Sequence, residues 1–315
     1  MTAQVPINAW HWAGFIGVIL VFLALDLRVF HRFSRVIKPK EALLWSSIWF
    51  LLAMLFARGL AAWRSPGESL EFITGYFVEY SLSMDNVFAI ALIFSYFGVE
   101  KRLEHRVLYW GIIGALLMRG LMIGLGAALI LNFSWVLYLL GAFLVFTGIK
   151  WGFSKQEVVQ PERNPIIRLA RKIFPVSRGF EGHKFLTWVD GRRALTPLAL
   201  VLLMVETTDL VFAVDSVPAI FAVTQNAFIV FTSNIFAILG LRSLYFVLAG
   251  AIQYFRFLKA GLSAVLVFIG AKMLIAHWYR VPTALSLCVI LAITTLSIGL
   301  SVLTEWRKKK NPARR

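Results

Sequence analysis

The chain has 315 residues, 59% of them hydrophobic and only 15% charged, which excludes an ordinary soluble globule and points to a polytopic membrane protein. Its net charge of +16 suggests nucleic acid at first sight, but the Lys and Arg residues fall in loops between apolar runs, as the positive-inside rule requires. The one cysteine, Cys288, lies in an apolar run, so there is no disulfide framework and no thiolate cluster.

In chain order, nine apolar runs approach the roughly 20 residues that a bilayer demands. They are 10–30, 42–63, 70–97, 106–130, 133–153, 197–223, 227–254, 261–277 and 282–304. Met1 to Trp12 carries no Lys or Arg and so lacks the basic start of a signal peptide, and the first run is expected to be retained. One side of the predicted bundle carries Arg28, Arg32, Arg35, Lys38, Lys40, Lys101, Arg102, Arg106, Arg256, Lys259 and the tail Arg307 to Lys310. The other side carries little beyond Arg64 and Arg280. That split predicts an all-α protein of about nine transmembrane helices, with the N-terminus periplasmic and the C-terminus cytoplasmic. Segment 154–196 is the long polar connection, basic and punctuated by Pro161, Pro165 and Pro175. It reads as a cytoplasmic tether near anionic headgroups, with one short amphipathic helix around Ile166–Phe174 and room for a regulatory role.

An internal repeat divides at that segment. Asp85-Asn-Val-Phe-Ala-Ile90 matches Asp215-Ser-Val-Pro-Ala-Ile220, an offset of 130 residues. The stretch ending Arg119-Gly-Leu121 matches Arg242-Ser-Leu244 at 123, and Leu144-Val-Phe-Thr-Gly-Ile-Lys150 matches Leu266-Val-Phe-Ile-Gly-Ala-Lys272 at 122. Each copy holds three spans. An odd number sends the second copy through the membrane in the opposite sense, giving a 3+3 inverted repeat of the kind that places transporter sites at the midplane. The organisation expected is therefore two peripheral helices over 1–66, a first three-helix repeat over 67–153, the basic linker 154–196, the second repeat over 197–280, and a last helix with its basic tail over 281–315.

The acids carry the chemistry. Glu79, Asp85, Glu206, Asp209 and Asp215 all lie in membrane-length apolar runs, where each costs about 2.5–3.5 kcal/mol if uncompensated. Glu79 and Asn86 are seven residues apart and share a helical face, as do Asp209 and Ser216, while Glu206 and Asp209 are three apart. Asp85 and Asp215 point well away from their partner acids on an ideal helix. A helix break at Pro218, which removes a hydrogen bond to Val214, would help to gather them. The donors are carboxylates, the carboxamides of Asn86 and Asn234, and the hydroxyls of Ser81, Ser83, Thr207, Thr208 and Ser216. Such oxygen chemistry suits Mn²⁺, Mg²⁺ or Ca²⁺. None of His11, His31, His105, His183 or His277 lies in the motifs, which disfavours a zinc or copper site. The competing reading of the acids is structural, as buried ion pairs with Arg119 or Arg242. Both roles can coexist if an arginine pairs an acid in the empty state and lets go when metal arrives. Lys150 and Lys272 read as snorkelling to opposite faces, and Asp26 as interfacial beside Arg28. The sequon Asn132-Phe-Ser134 falls in a very short turn and is discounted.

Glu79-x-Ser-Leu-Ser-x-Asp85-Asn86 and Glu206-x-x-Asp209-x-x-Phe-Ala-x-Asp215-Ser216-x-Pro-Ala219 resemble the paired motifs of the TerC family, in its alkaline-inducible branch. Thr232 to Arg242 and Leu266 to Lys272 fit the same resemblance, which runs from about residue 10 to 305. It implies a multi-pass protein of the bacterial inner membrane, within the LysE-type transporter superfamily, that exports manganese. Carried over by motif, the metal-binding positions are Glu79, Asp85, Asn86, Glu206, Asp209, Asp215 and Ser216, with Arg119 and Arg242 as charge partners. The metal is then cargo; no resident cofactor and no enzymatic activity are expected, and the implied partners are the bilayer and a divalent cation, with no nucleic acid. The alternative is a membrane partner protein that supplies metal to exported metalloproteins beside the secretion machinery. An intramembrane aspartyl protease fits poorly, because Asp85 and Asp215 sit in Met-Asp-Asn and Val-Asp-Ser. With no P-loop in the chain, any driving force is expected to come from ion gradients or membrane potential.

Overall fold

Lipid offers no partner for backbone N–H and C=O groups, so apolar runs of membrane length close their own hydrogen bonds as helices. The computed structural model describes residues 7–31, 39–133, 135–153, 164–189, 191–248, 257–279 and 281–310. In order they form α1 (Ala9–His31), α2 (Pro39–Trp63), α3 (Pro66–Phe97), α4 (Lys101–Asn132), α5 (Val136–Phe153), α6 (Pro165–Ile173), β1 (Leu186–Val189), β2 (Arg192–Leu195), α7 (Pro197–Phe221), α8 (Ala227–Leu248), α9 (Leu258–Ile275) and α10 (Thr283–Lys310). Among the described residues eight helices are long and apolar enough to cross a membrane, and the apolar part of α1 is the shorter run Ala9–Ala24. Ser134, Arg32, Arg35, Lys38, Arg256 and Arg280, the linker positions 154–163 and the end of the seventh predicted run lie outside the described residues. So do the side chains of Asp26, Arg28 and the tail from Arg307.

Caps set the bounds of α3 and α7. Ser65 accepts a hydrogen bond from the Glu68 N–H and Pro66 opens the first turn, so α3 begins four residues before the apolar run does. Gly98, in the left-handed region at φ 62°, ends it. Thr196 caps α7 in the same way, again followed by proline. The break expected at Pro218 does not occur: α7 runs through it to Phe221. The proline stands in the last turn, where its missing N–H affects one carbonyl and the chain turns away three residues later.

Helix α8 forms the centre and is buried along nearly its whole length, whereas α2, α4, α5 and α10 turn most of their residues outward. Helix α3 packs on α8 and α4 packs on α7, while α3 with α7, α4 with α8 and α5 with α9 meet across the middle. Exchanging α3, α4, α5 for α7, α8, α9 leaves that set of partnerships unchanged. At the α5–α9 crossing the two helices approach closely. A Cβ on Gly270 would lie 2.6 Å from the Gly141 carbonyl oxygen and 2.8 Å from the Val145 nitrogen, so backbone meets backbone there. Ser263 Oγ donates across it to the Gly148 carbonyl at 2.5 Å.

The polar connection is more structured than its composition suggests. The amphipathic helix forms as α6, and β1 and β2 pair antiparallel with Val189 opposite Arg192. Two residues of the sequence separate the strands, and the second, Gly191, takes φ 76°, the left-handed region that glycine favours.

Candidate functional site

Arg119, on α4, is the largest fully buried side chain among the described residues. A guanidinium cannot shed its charge, so at this depth it must be met by anions. Two acids meet it, one from each half of the chain. Arg119 Nη1 donates to Glu79 Oε1 on α3. Its Nη2 donates to Asp209 Oδ1 on α7 at 2.9 Å, and its Nε donates to Asp209 Oδ2 at 3.3 Å. Nη1 also reaches Ser216 Oγ at 3.2 Å.

Two carboxamides complete the network. Asn86 Nδ2 donates to Asp209 Oδ1 at 3.1 Å, and Asn234 Nδ2 on α8 donates to Glu79 Oε2 at 3.0 Å. Ser83 Oγ donates to Glu79 Oε1 at 3.2 Å. Glu79, Ser83, Asn86, Asp209, Ser216 and Asn234 are all buried. The pairing of faces anticipated from the seven-residue spacing is thus present, and α3 and α7 present Glu79 with Asn86 and Asp209 with Ser216 to a single arginine.

The remaining predicted residues lie around this centre rather than in it. Asp215 lines a cleft of about 10 Å³, room for a single water, together with Glu79, Asn86, Arg119 and Ser216. Trp151 and Phe212 close one side of that cleft, edge to face with centroids 5.6 Å apart. Glu206 lies one turn from Asp209, its carboxylate packed straight onto Gly114 of α4, where a Cβ would collide with it. Asp85 is only partly buried and stands outside the network, within the field of Lys259. Arg242 does not mirror Arg119. It lines a different cleft with Trp45, Trp49 and Phe246 and stands near His105. Gly114 carries no chemistry of its own, and only its contact with Glu206 reveals it. Among the described residues no group of three or more His, Cys, Asp and Glu side chains is placed to hold a metal ion. The physical reason lies in the network, where Arg119 occupies the space between Glu79 and Asp209.

Four buried acceptor atoms in or beside the network have no hydrogen-bond partner among the described residues: Asn86 Oδ1, Asn234 Oδ1, Asp215 Oδ1 and Glu206 Oε2. Unpaired buried oxygens cost about 1–3 kcal/mol each. They are also the donor type that a hard cation takes.

The integral membrane protein TerC family matches residues 64–312, covering every element from α3 to α10. The chain belongs to the TerC family. This TerC protein is 49% identical over 292 residues to the membrane protein STKORF319 of Myxococcus xanthus, covering 93% of this chain and 92% of the relative. It is 42% identical over 310 residues to Alx of Escherichia coli K12 and to Alx of Salmonella typhi, with 95% of this chain and 96% of each relative covered. Both of those relatives are named as proposed membrane-bound redox modulators. No solved structure matches the chain.

Proposed function

We propose that this TerC protein is a secondary transporter of the bacterial inner membrane that exports divalent metal cations, Mn²⁺ foremost, from the cytoplasm. The single observation that carries this reading is the Arg119 network. A permanent cation is held by acids from both halves of the chain, with unpaired oxygens around it. Glu79, Asp209 and Asp215, ionised, bring three negative charges against one positive, a net −2 suited to a divalent ion. Arg119 acts as the tethered stand-in for the cargo. Mn²⁺ arriving from the cytoplasm displaces the guanidinium from Glu79 and Asp209 and gathers Asn86, Asp215 and Ser216. When the metal leaves on the far side, Arg119 returns to Glu79 and Asp209, and the charge it does not cover on the empty carrier is left for protons to offset. Protons can serve as the counter-ion on the same carboxylates. The N-terminus lies outside and the C-terminus in the cytoplasm, following the distribution of Lys and Arg. The relatives' name speaks of redox modulation; Cys288 alone gives this chain no internal dithiol pair, so the reading rests on cation movement.

The test is ⁵⁴Mn²⁺ efflux from loaded cells at matched expression, comparing wild type with Glu79→Gln and Asp209→Asn. Export by the wild type and its loss in both variants supports the proposal. A wild type that moves no Mn²⁺, or variants that export normally, refutes it.

A further inference from the structure

Helix α6 is amphipathic beyond what the protein itself covers. At 100° per residue, Ile166, Ile167, Leu169, Ala170 and Ile173 fill one arc, and Arg168, Arg171 and Lys172 fill the other. Of the apolar arc only Ile167 is fully buried, in the core cluster that also holds Leu198 and Met204. Leu169 is 57% exposed and Ile173 60% exposed, and Phe174 follows them, also exposed. A helix immersed in water would gain nothing from such a stripe.

Its position supplies the reason. Asn164, the cap of α6, donates to Met204 Sδ at 3.3 Å, and α6 packs on α7. Met204 lies seven residues into α7, about 10 Å along a helix whose apolar span starts at Pro197. So α6 is held at the level where α7 meets the bilayer surface. The hairpin joins α7 through Thr196 and shows the same combination. Leu186 and Trp188 share the outward face of β1, Trp188 is 68% exposed, and the Arg193 guanidinium stands over its ring at 5.8 Å. Residues 164–196 contain seven Lys and Arg against two acids, Glu181 and Asp190, a net +5.

We propose that α6 and the hairpin form an in-plane anchor on an anionic phospholipid surface. Leu169, Ile173 and Trp188 seat in the boundary between headgroups and acyl chains, and the neighbouring basic side chains meet lipid phosphates. Charge complementarity selects the lipid: a basic amphipathic helix binds a bilayer through buried apolar area and attraction to anionic headgroups together.

The experiment uses the full-length chain with Cys288→Ala and Leu169→Cys, carrying an environment-sensitive nitrobenzoxadiazole label at position 169. The protein is placed in nanodiscs of phosphatidylcholine alone or mixed with phosphatidylglycerol. The expected result is blue-shifted emission, quenched by brominated acyl chains, that is strong with phosphatidylglycerol and weak without it or at high salt. Each basic residue near an anionic surface is worth about five-fold, so Arg168→Gln, Arg171→Gln and Lys172→Gln together lower the embedded-to-free ratio on the order of 100-fold. The comparison of lipids uses unaltered charges and stands even if the triple variant does not fold. Water-like emission in both lipids overturns the proposal, as does quenching of equal strength in both. Water-like emission that turns apolar only when soluble protein is added also overturns it, and assigns the face to a protein partner.

Discussion

Replacing Arg119 with methionine keeps most of the side-chain volume and removes the charge that joins α3 to α7. Glu79 and Asp209 then stand buried without their cation, and Asp209 loses both of its guanidinium hydrogen bonds. Breaking a buried pair from one side costs about 3–5 kcal/mol, because the surviving charge is left uncompensated. Against a total stability of about 5–15 kcal/mol this is a large share. At roughly 2–4 °C per kcal/mol for a chain of this order, the unfolding midpoint in detergent should fall by about 6–20 °C. The assay is thermal unfolding of purified protein followed by size-exclusion chromatography with fluorescence detection. The triple variant Arg119→Met/Glu79→Gln/Asp209→Asn removes the stranded charges as well, so its midpoint should return most of the way to wild type while transport stays lost. Loss that simply adds across the three positions would refute the reasoning, as would Arg119→Met melting with wild type, since either means that the three groups are not one charge-balanced unit.

Gly114→Ala places a methyl where the Glu206 carboxylate now lies; the flexible side chain can swing aside, so stability should change little while Mn²⁺ efflux drops, and adding Glu206→Gln should lower efflux no further. Gly270→Ala forces α5 and α9 apart at a contact between backbones and should cost about 1–3 kcal/mol in the same melting assay, whereas Gly124→Ala, with nothing within 4 Å of the new methyl, should be neutral or gain up to about 1 kcal/mol. Asn234→Leu removes a described donor to Glu79 Oε2 and should destabilise by about 1–3 kcal/mol, with Asn234→Gln recovering less than half if the reach of the amide is what matters.

The convergence of α3 and α7 was legible because helical geometry is rigid: a seven-residue spacing fixes a common face whatever surrounds it. Glu79 with Asn86 and Asp209 with Ser216 follow from that alone. Which arginine would answer them did not follow. Arg119 and Arg242 occupy matching places in the repeat, yet one reaches the acids and the other lines a cleft with Trp45 and Trp49, a difference set by packing from α2 that no periodicity carries. Asp85 carries the same kind of charge as its neighbours but stands about 100° from Asn86 on the helix, outside the shared face. Pro218 suggested a break because a proline in mid-helix forces one, and its place in the final turn depends on where α7 ends. The β1–β2 hairpin went unread because its strands are four residues each and their basic side chains mask the alternation, although Asp190-Gly191 between them is a hairpin signal.

The pairing of Glu79 with Arg119 also orders the assembly of the protein. The two residues sit on consecutive spans, so the acid emerges from synthesis one helix ahead of its base, and Asp209 comes only after the polar connection. Although α3 and α4 hardly pack on each other in the finished fold, the ion pair between them can form before α7 exists, and each charge is spared the cost of waiting alone in lipid. The first half of the site can therefore mature as an insertion unit, and the second half arrives to find an arginine already in place. Moving the arginine to a later helix would take that early partner away.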